Sequence, residues 1–250
     1  MKIIEIKNLY KTLDHKVIYR DLNLTVNKGE TLVIVGRIGC GKSVLLKHII
    51  GIMRPDKGEV WVHGRNINKV KLKTLDSLRK KIGMVFQGAA LFDSLTVAEN
   101  VCFYLSEHTN ISQKERYKIA EETLYKVGLK DILEKYPADL SGGMKKRVGI
   151  ARAIAYNPEV ILYDEPTTGL DPITADAIDS LIKNLHVKLN VTGVVVTHDM
   201  KSAYKIADRI AMIYNGNIIA EGTPEEIRNS DSPYVRQFVN GSSEGPIPVI

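Results

Sequence analysis

Only two cysteines, Cys40 and Cys102, occur in 250 residues. That scarcity excludes a disulfide-stapled scaffold and fits a reducing compartment. No apolar run approaches the ~20 residues that a membrane-spanning helix needs. The opening residues, Met1-Lys2-Ile3-Ile4-Glu5, lack the pattern of a secretory signal. There is no internal repeat. Basic residues are nowhere interleaved with aromatics as in single-strand binding platforms, so no nucleic-acid partner is expected. What is present is a chain of 44% hydrophobic and 26% charged residues, the balance of a globular protein with ample core. The net charge of +6 by itself fits a phosphate-rich ligand, nucleic acid or an anionic membrane surface. The clusters Lys69, Lys71, Lys73 and Arg79-Lys80-Lys81 read as a solvated basic face.

The N-terminal third reads as β-rich. Lys2–Leu9 and Leu22–Val26 alternate, as half-exposed antiparallel strands do, whereas Thr31–Val35 is continuously apolar, as a strand buried on both faces is. Glu59–Val62 and Lys81–Phe86 are further strand candidates. Helical spacing runs from Val97 to Tyr156. Short β-branched runs at Val160–Tyr163 and Val194–Thr197 then flank a helical stretch, Ala175–Leu189, which predicts a parallel sheet with crossover helices. Asn215-Gly216 predicts a type I′ hairpin turn within Ala211–Ala220. Thr223-Pro224-Glu225-Glu226 predicts a helix start with a capping box. After Phe238 the chain turns to Gly, Ser and Pro, as an extended tail would.

Chemistry concentrates in three segments. Gly36-Arg37-Ile38-Gly39-Cys40-Gly41-Lys42-Ser43 reads G-x-x-x-x-G-K-S, between an apolar strand and a helix at Ser43–Ile50. This is the P-loop pattern: glycines let backbone amides close on phosphate oxygens, and the helix N-terminus adds positive partial charge. Lys42 would reach the β- and γ-phosphates and Ser43 would ligate Mg²⁺, with Val44 following in the first turn. Cys40 reads either as a reactive thiol near a helix end or as a small residue tolerated in the loop. Val160–Glu165 is an apolar strand ending in two carboxylates. Asp164 is placed to hold Mg²⁺ and Glu165 to polarise an attacking water as general base. In Leu140-Ser141-Gly142-Gly143-Met144, Ser141, Gly142 and Gly143 open a helix whose apolar positions recur at Met144, Val148, Ala151 and Ala155. That N-terminus is a second phosphate-binding end. Two such ends in one chain suggest a nucleotide clamped between the P-loop of one copy and the Ser-Gly-Gly end of another.

With these motifs in this order and spacing, the chain resembles an ABC-transporter ATPase subunit over nearly its full length. The resemblance implies an α/β P-loop NTPase. It would have a RecA-like parallel-sheet core and an N-terminal antiparallel β subdomain (1–87 and 157–225), an inserted helical subdomain (88–156), and a C-terminal helix and tail (226–250). It implies that Gln87 is the Q-loop residue contacting Mg²⁺, that Gly169-Leu170-Asp171 is the D-loop with Asp171 at the nucleotide interface, and that His198 contacts the γ-phosphate and attacking water. Family members stack adenine on an aromatic near position 13. Here Leu13 stands there, with Tyr10 and Tyr19 as neighbours, and Leu13 or Tyr10 would substitute. ATP and Mg²⁺ are the implied cofactors, ATP hydrolysis coupled to transport the activity, and a second copy and a transmembrane permease the partners.

Phe86–Val97, the Met144 ending, Asp171-Pro172-Ile173-Thr174 and the C-terminal tail resemble the Mla/Mce-type lipid-transport ATPases. This implies phospholipid transport, an Mce-type lipid-binding partner with accessory regulatory subunits, and a peripheral place on the cytoplasmic face of the inner membrane. The alternatives are an amino-acid or osmolyte importer ATPase, or a soluble ABC ATPase outside transport. Leu91, Phe92 and Leu95 read either as the rim of a permease groove or as helical-subdomain core. The tail, with Phe238 as anchor and Ile247, Val249 and Ile250 as further apolar residues, reads as docking on a second copy or regulator, as packing back on its own sheet, or as a frayed end.

Overall fold

The computed structural model describes residues 1–248, so Val249 and Ile250 of the expected docking tail lie outside the described residues. The first elements are β1 (Lys2–Leu13), β2 (Lys16–Asn27), β3 (Thr31–Val35), α1 (Lys42–Ile49), β4 (Lys57–Val62), β5 (Arg65–Asn66) and α2 (Leu72–Arg79). Next come β6 (Ile82–Val85), α3 (Val97–His108), α4 (Gln113–Lys126), α5 (Gly142–Ile154), β7 (Val160–Asp164) and α6 (Pro172–Leu189). The chain continues with β8 (Thr192–Thr197), α7 (Met200–Ile206), β9 (Arg209–Tyr214), β10 (Asn217–Gly222), α8 (Pro224–Arg228) and α9 (Pro233–Asn240).

Two compact units form. One contains Met1–Leu78 and the chain from Thr192 onward, the other Arg79–Val191. In the first, β2-β1-β4-β5 make an antiparallel sheet, while β10-β9-β3-β8 are neighbouring strands in which β3 runs parallel to both β8 and β9. Every residue of β3 and of β8 is buried, as their uninterrupted apolar runs require. In the second unit β6 and β7 pair in parallel, and α3, α4 and α5 pack on one another. The expected combination of antiparallel sheet, parallel sheet and helical segment is therefore present.

Turn and cap chemistry sets most boundaries. Thr96 with Glu99, Ser112 with Glu115 and Thr223 with Glu226 form capping boxes at α3, α4 and α8. Asn215 and Gly216, both at positive φ, turn the β9–β10 hairpin as expected.

The structure differs from the sequence reading in two places, the length of the first strands and the C-terminal segment. β1 and β2 are longer than their alternating stretches, because the register shifts between Ile6 and Leu9. Asn8 and Asp21 take up the shift at positive φ and hydrogen-bond across it at 2.6 Å. Residues 88–96, ahead of the helical spacing that begins at Val97, form a loop. The buried Asn100 amide holds them as a loop, accepting from the Phe92 N–H and donating to the carbonyls of Phe92, Leu95 and Thr96.

The C-terminal segment carries two short helices rather than one, and its tail packs on α9. Gln237 donates to the Ile247 carbonyl at 2.9 Å and accepts from the Ile247 N–H at 2.7 Å. The anchor is thus the Gln237–Ile247 pair, with Ile247 buried, while Phe238 is only half-buried.

Gly83 sets how closely α5 approaches β6: a Cβ there would lie 2.5 Å from the Ala153 carbonyl oxygen. Gly83→Ala is expected to destabilise the protein by about 1–3 kcal/mol, the usual cost of overpacking. Urea denaturation reads this, and an unchanged midpoint would mean that α5 moves off β6 freely.

Candidate nucleotide-binding and hydrolysis site

In the first unit, β3 delivers the chain into the loop Gly36–Gly41, after which α1 begins at Lys42. Gly41 has φ 104 and caps α1, a conformation that side-chain-bearing residues rarely adopt. The first turn of α1 carries no acidic residue, so its positive end is uncompensated. Ser43 and Val44 lie in that turn and are half-buried. Lys42 is buried and curls back over the loop, donating to the carbonyls of Gly36 at 2.8 Å and Arg37 at 3.2 Å. Ile38 and Gly39 are exposed at the loop tip, and Cys40 is half-buried. Arg37 donates to the carbonyl of Pro248, tying the tail to the loop.

Beneath the loop lies a support that sequence reasoning missed. Tyr19 is fully buried and donates its hydroxyl to the Gly41 carbonyl at 2.6 Å. Burial pushes its phenol pKa upward, so it stays a donor at neutral pH. His48 packs edge-on to Tyr19, and burial holds its pKa below the usual imidazole range. Tyr19 is therefore a strut of the P-loop and is not available for stacking on a base. Tyr10 has Lys57 over its ring, and Leu13 is half-buried beside the β1–β2 turn.

β3 and β8 are in register with Val35 opposite Thr197, so the P-loop and His198 leave neighbouring parallel strands at the same end. His198 is exposed there. Open parallel sheets bind ligands beyond their carboxyl ends in this way.

The second unit repeats the arrangement. Val85 lies opposite Tyr163, so Gln87 follows β6 at the end where Asp164 and Glu165 complete and follow β7. Gln87 is exposed and Asp164 half-buried. Glu165 is 7% exposed, sits at φ 47 and accepts from the Thr168 hydroxyl at 3.1 Å. The Ser141 hydroxyl caps α5 by accepting from the Met144 N–H, and the first turn of α5 also lacks acidic residues. Ser141 and Gly142 are exposed and Gly143 half-buried, which leaves a second uncompensated helix end open to solvent. The Asp171 carboxylate caps α6 through the amides of Ile173 and Thr174, each at 3.0 Å. Lys146 is a second residue the sequence concealed. In the run Lys145-Lys146-Arg147 the middle side chain is buried, and its ammonium donates to the carbonyls of Gln87 and Glu165.

A phosphate-binding loop, an apolar strand ending in two carboxylates and a second open helix end together define a P-loop nucleoside triphosphatase. The family model described as "ABC transporter" matches residues 19–168, and the chain belongs to that family as an ATP-binding, ATP-hydrolysing subunit. It is 42% identical over 245 residues to the intermembrane phospholipid transport system ATP-binding protein MlaF of Haemophilus influenzae, covering 98% of this chain and 93% of that protein. It is 44% identical over 242 residues to the methionine import ATP-binding protein MetN of Carboxydothermus hydrogenoformans, covering 95% and 72%. Among solved structures it is similar to the dimeric post-hydrolysis state of the ATP-binding cassette MJ0796 bound to ADP and Pi. The TM-score is 0.80 at 35% identity, over 88% of this chain and 98% of that one.

Tyr19→Phe removes the only change of chemistry between the two rings, the hydroxyl that satisfies Gly41. It is expected to cost about 1 kcal/mol of stability and to raise the KM for ATP. Urea unfolding and steady-state kinetics check it, and unchanged values in both would mean that the hydroxyl is not a strut.

Proposed function

We propose that this chain powers a phospholipid transporter, working as a pair of copies that clamp two ATP molecules and drive a permease from the cytoplasmic face of the membrane. The observation that carries the paired site is that two helices open on glycine with no acidic residue in the first turn, α1 behind Gly41 and α5 at Gly142-Gly143 behind Ser141. In this reading one copy's P-loop amides and Lys42 hold the β- and γ-phosphates, and the other copy's Ser141, Gly142 and Gly143 cover the γ-phosphate. Asp171 stands beside that shared interface. Ser43, Gln87 and Asp164 offer hydroxyl, amide and carboxylate oxygens, a donor set that suits Mg²⁺, which would offset charge on the phosphates. Glu165 takes the proton of a water that attacks the γ-phosphorus. The bond to the bridging oxygen breaks and ADP departs, with His198 and Gln87 positioning water and phosphate. Adenine rests against Leu13 or Tyr10.

The helical subdomain, residues 88–156, is the part proposed to meet the permease. Within its unit, a groove of about 230 Å³ is lined by residues that include Leu95, Ala98, Phe103, Arg116 and Tyr117. Phe92 is exposed and Leu91 and Leu95 are half-buried, so all three are accessible to a helix of the permease. Among the described residues no helix is long and apolar enough to cross a membrane, so membrane association is assigned to that contact. The phospholipid cargo is supported by the similarity to MlaF over nearly the full length of both proteins and by the Phe86–Val97 segment. An Mce-type lipid-binding subunit and a regulator complete the proposed assembly.

Glu165→Gln is expected to retain ATP binding and to reduce turnover by roughly 10²–10⁴-fold. Single-turnover ATPase measurements test this, and near-normal turnover would remove Glu165 from the role of base. For the cargo, the subunit is reconstituted with its permease in proteoliposomes. ATP-dependent movement of a labelled phospholipid is the expected result, whereas movement of methionine alone would assign the chain to the solute-import reading.

A further inference from the structure

Lysine is among the residues least often fully buried, yet Lys146 is 6% exposed. Its ammonium has three N–H groups, and the structure gives it two carbonyl acceptors: that of Gln87, and that of Glu165 at 3.4 Å. These residues are far apart in sequence, and both are placed beside the nucleotide in the reading above. The Asp164 and Glu165 carboxylates also act on this cation, favouring its charged form against the burial that lowers its pKa.

Lys146 does not act alone on α5. Arg152 donates to the carbonyls of Ala90 at 2.5 Å and Ala89 at 2.6 Å. Between them, a Cβ at Gly149 would meet that of Ala89 at 3.2 Å, so the loop lies directly against the helix. Residues 146, 149 and 152 recur every three positions and share one helix face. The backbone they hold is unusual: Ala89, Ala90 and Glu165 all sit at positive φ although none is glycine. Such conformations persist only where surrounding contacts over-determine them.

We propose that Lys146 is a positioning residue for hydrolysis. By fastening the backbone of Gln87 and Glu165 to α5, it sets where both side chains stand. Because α5 begins at the Ser141–Gly143 end, a shift of that end on contact with a nucleotide is passed through Lys146 to the water-activating carboxylate. The inference rests on the reading of Glu165 as base and of Ser141–Gly143 as a phosphate-binding end. It assigns control of turnover, as distinct from ATP binding, to a residue outside the recognised motifs.

The test uses the full chain and three variants. Lys146→Met keeps the length and apolar stem but donates no hydrogen bond, Lys146→Gln keeps a donor without the charge, and Lys146→Asn has a donor too short to reach. Steady-state ATPase kinetics are read against thermal unfolding of each. Lys146→Met is expected to lower kcat about 10- to 100-fold, the scale of a misplaced catalytic group. Its KM for ATP should stay within about 3-fold, as expected when ground-state binding is untouched. Lys146→Gln should recover most of the lost kcat and Lys146→Asn should not. A kcat in Lys146→Met near that of the wild type would overturn the proposal. So would losses that merely track the unfolded fraction in every variant. If Lys146→Met fails to fold, Lys146→Gln and Lys146→Asn decide alone, and equal turnover in those two overturns it. Wild-type hydrolysis is measured alongside. Its absence would overturn the site reading itself, whereas a fully active Lys146→Met would overturn only the role of Lys146.

Discussion

Val35 lies opposite Thr197, and Val85 opposite Tyr163, each in a parallel pair of buried strands. Parallel pairing sends neighbouring strands out at one end, so whatever follows them is gathered there whatever its distance in sequence. The P-loop and His198 are brought together by the first pair. Gln87, Asp164 and Glu165 are brought together by the second. The buried character of these strands is therefore a condition for the chemistry: a charged residue in the middle of β3 or β8 would disturb the sheet and displace the groups that leave it.

Around those strand ends the chain spends buried polar groups where an apolar side chain would fill the space more cheaply. Tyr19 holds the Gly41 carbonyl from below, and Lys146 holds the carbonyls of Gln87 and Glu165 from α5. A buried donor is costly unless it is satisfied, and a buried cation more so. In each case the partner is the main chain of a loop that has no ladder of its own. The site is thus a set of irregular backbone segments whose shapes are fixed by donors on regular elements.

Much of this was legible in the sequence. The continuous runs Thr31–Val35 and Val160–Tyr163 are strands because nothing polar interrupts them, and β8 is longer than Val194–Thr197 by two residues at its start. Thr223 and Glu226 cap a helix because their spacing lets each side chain reach the other's amide. What escaped were features in which periodicity breaks or a residue type misleads. The bulge at Asn8 and Asp21 shifts the alternation, so the strands seemed shorter. Lys146 sits inside the basic triplet Lys145-Lys146-Arg147, in which nothing in the local pattern marks the middle side chain as buried. Nor could local pattern show the tail's return: Gln237 and Ile247 belong to segments with different periodicities.

The clamp on the segment after Gln87 has a consequence for how such a subunit can change. Every acceptor that Lys146 and Arg152 use there is a main-chain carbonyl, belonging to Gln87, Ala89 and Ala90. Carbonyls are indifferent to the side chains they carry. The path of the segment is therefore held whatever side chain stands at an exposed position such as Phe92. Substitutions at such a position change the exposed surface without removing the bonds that hold the backbone. The carbonyl of Gln87 stays fastened to α5 through each such change.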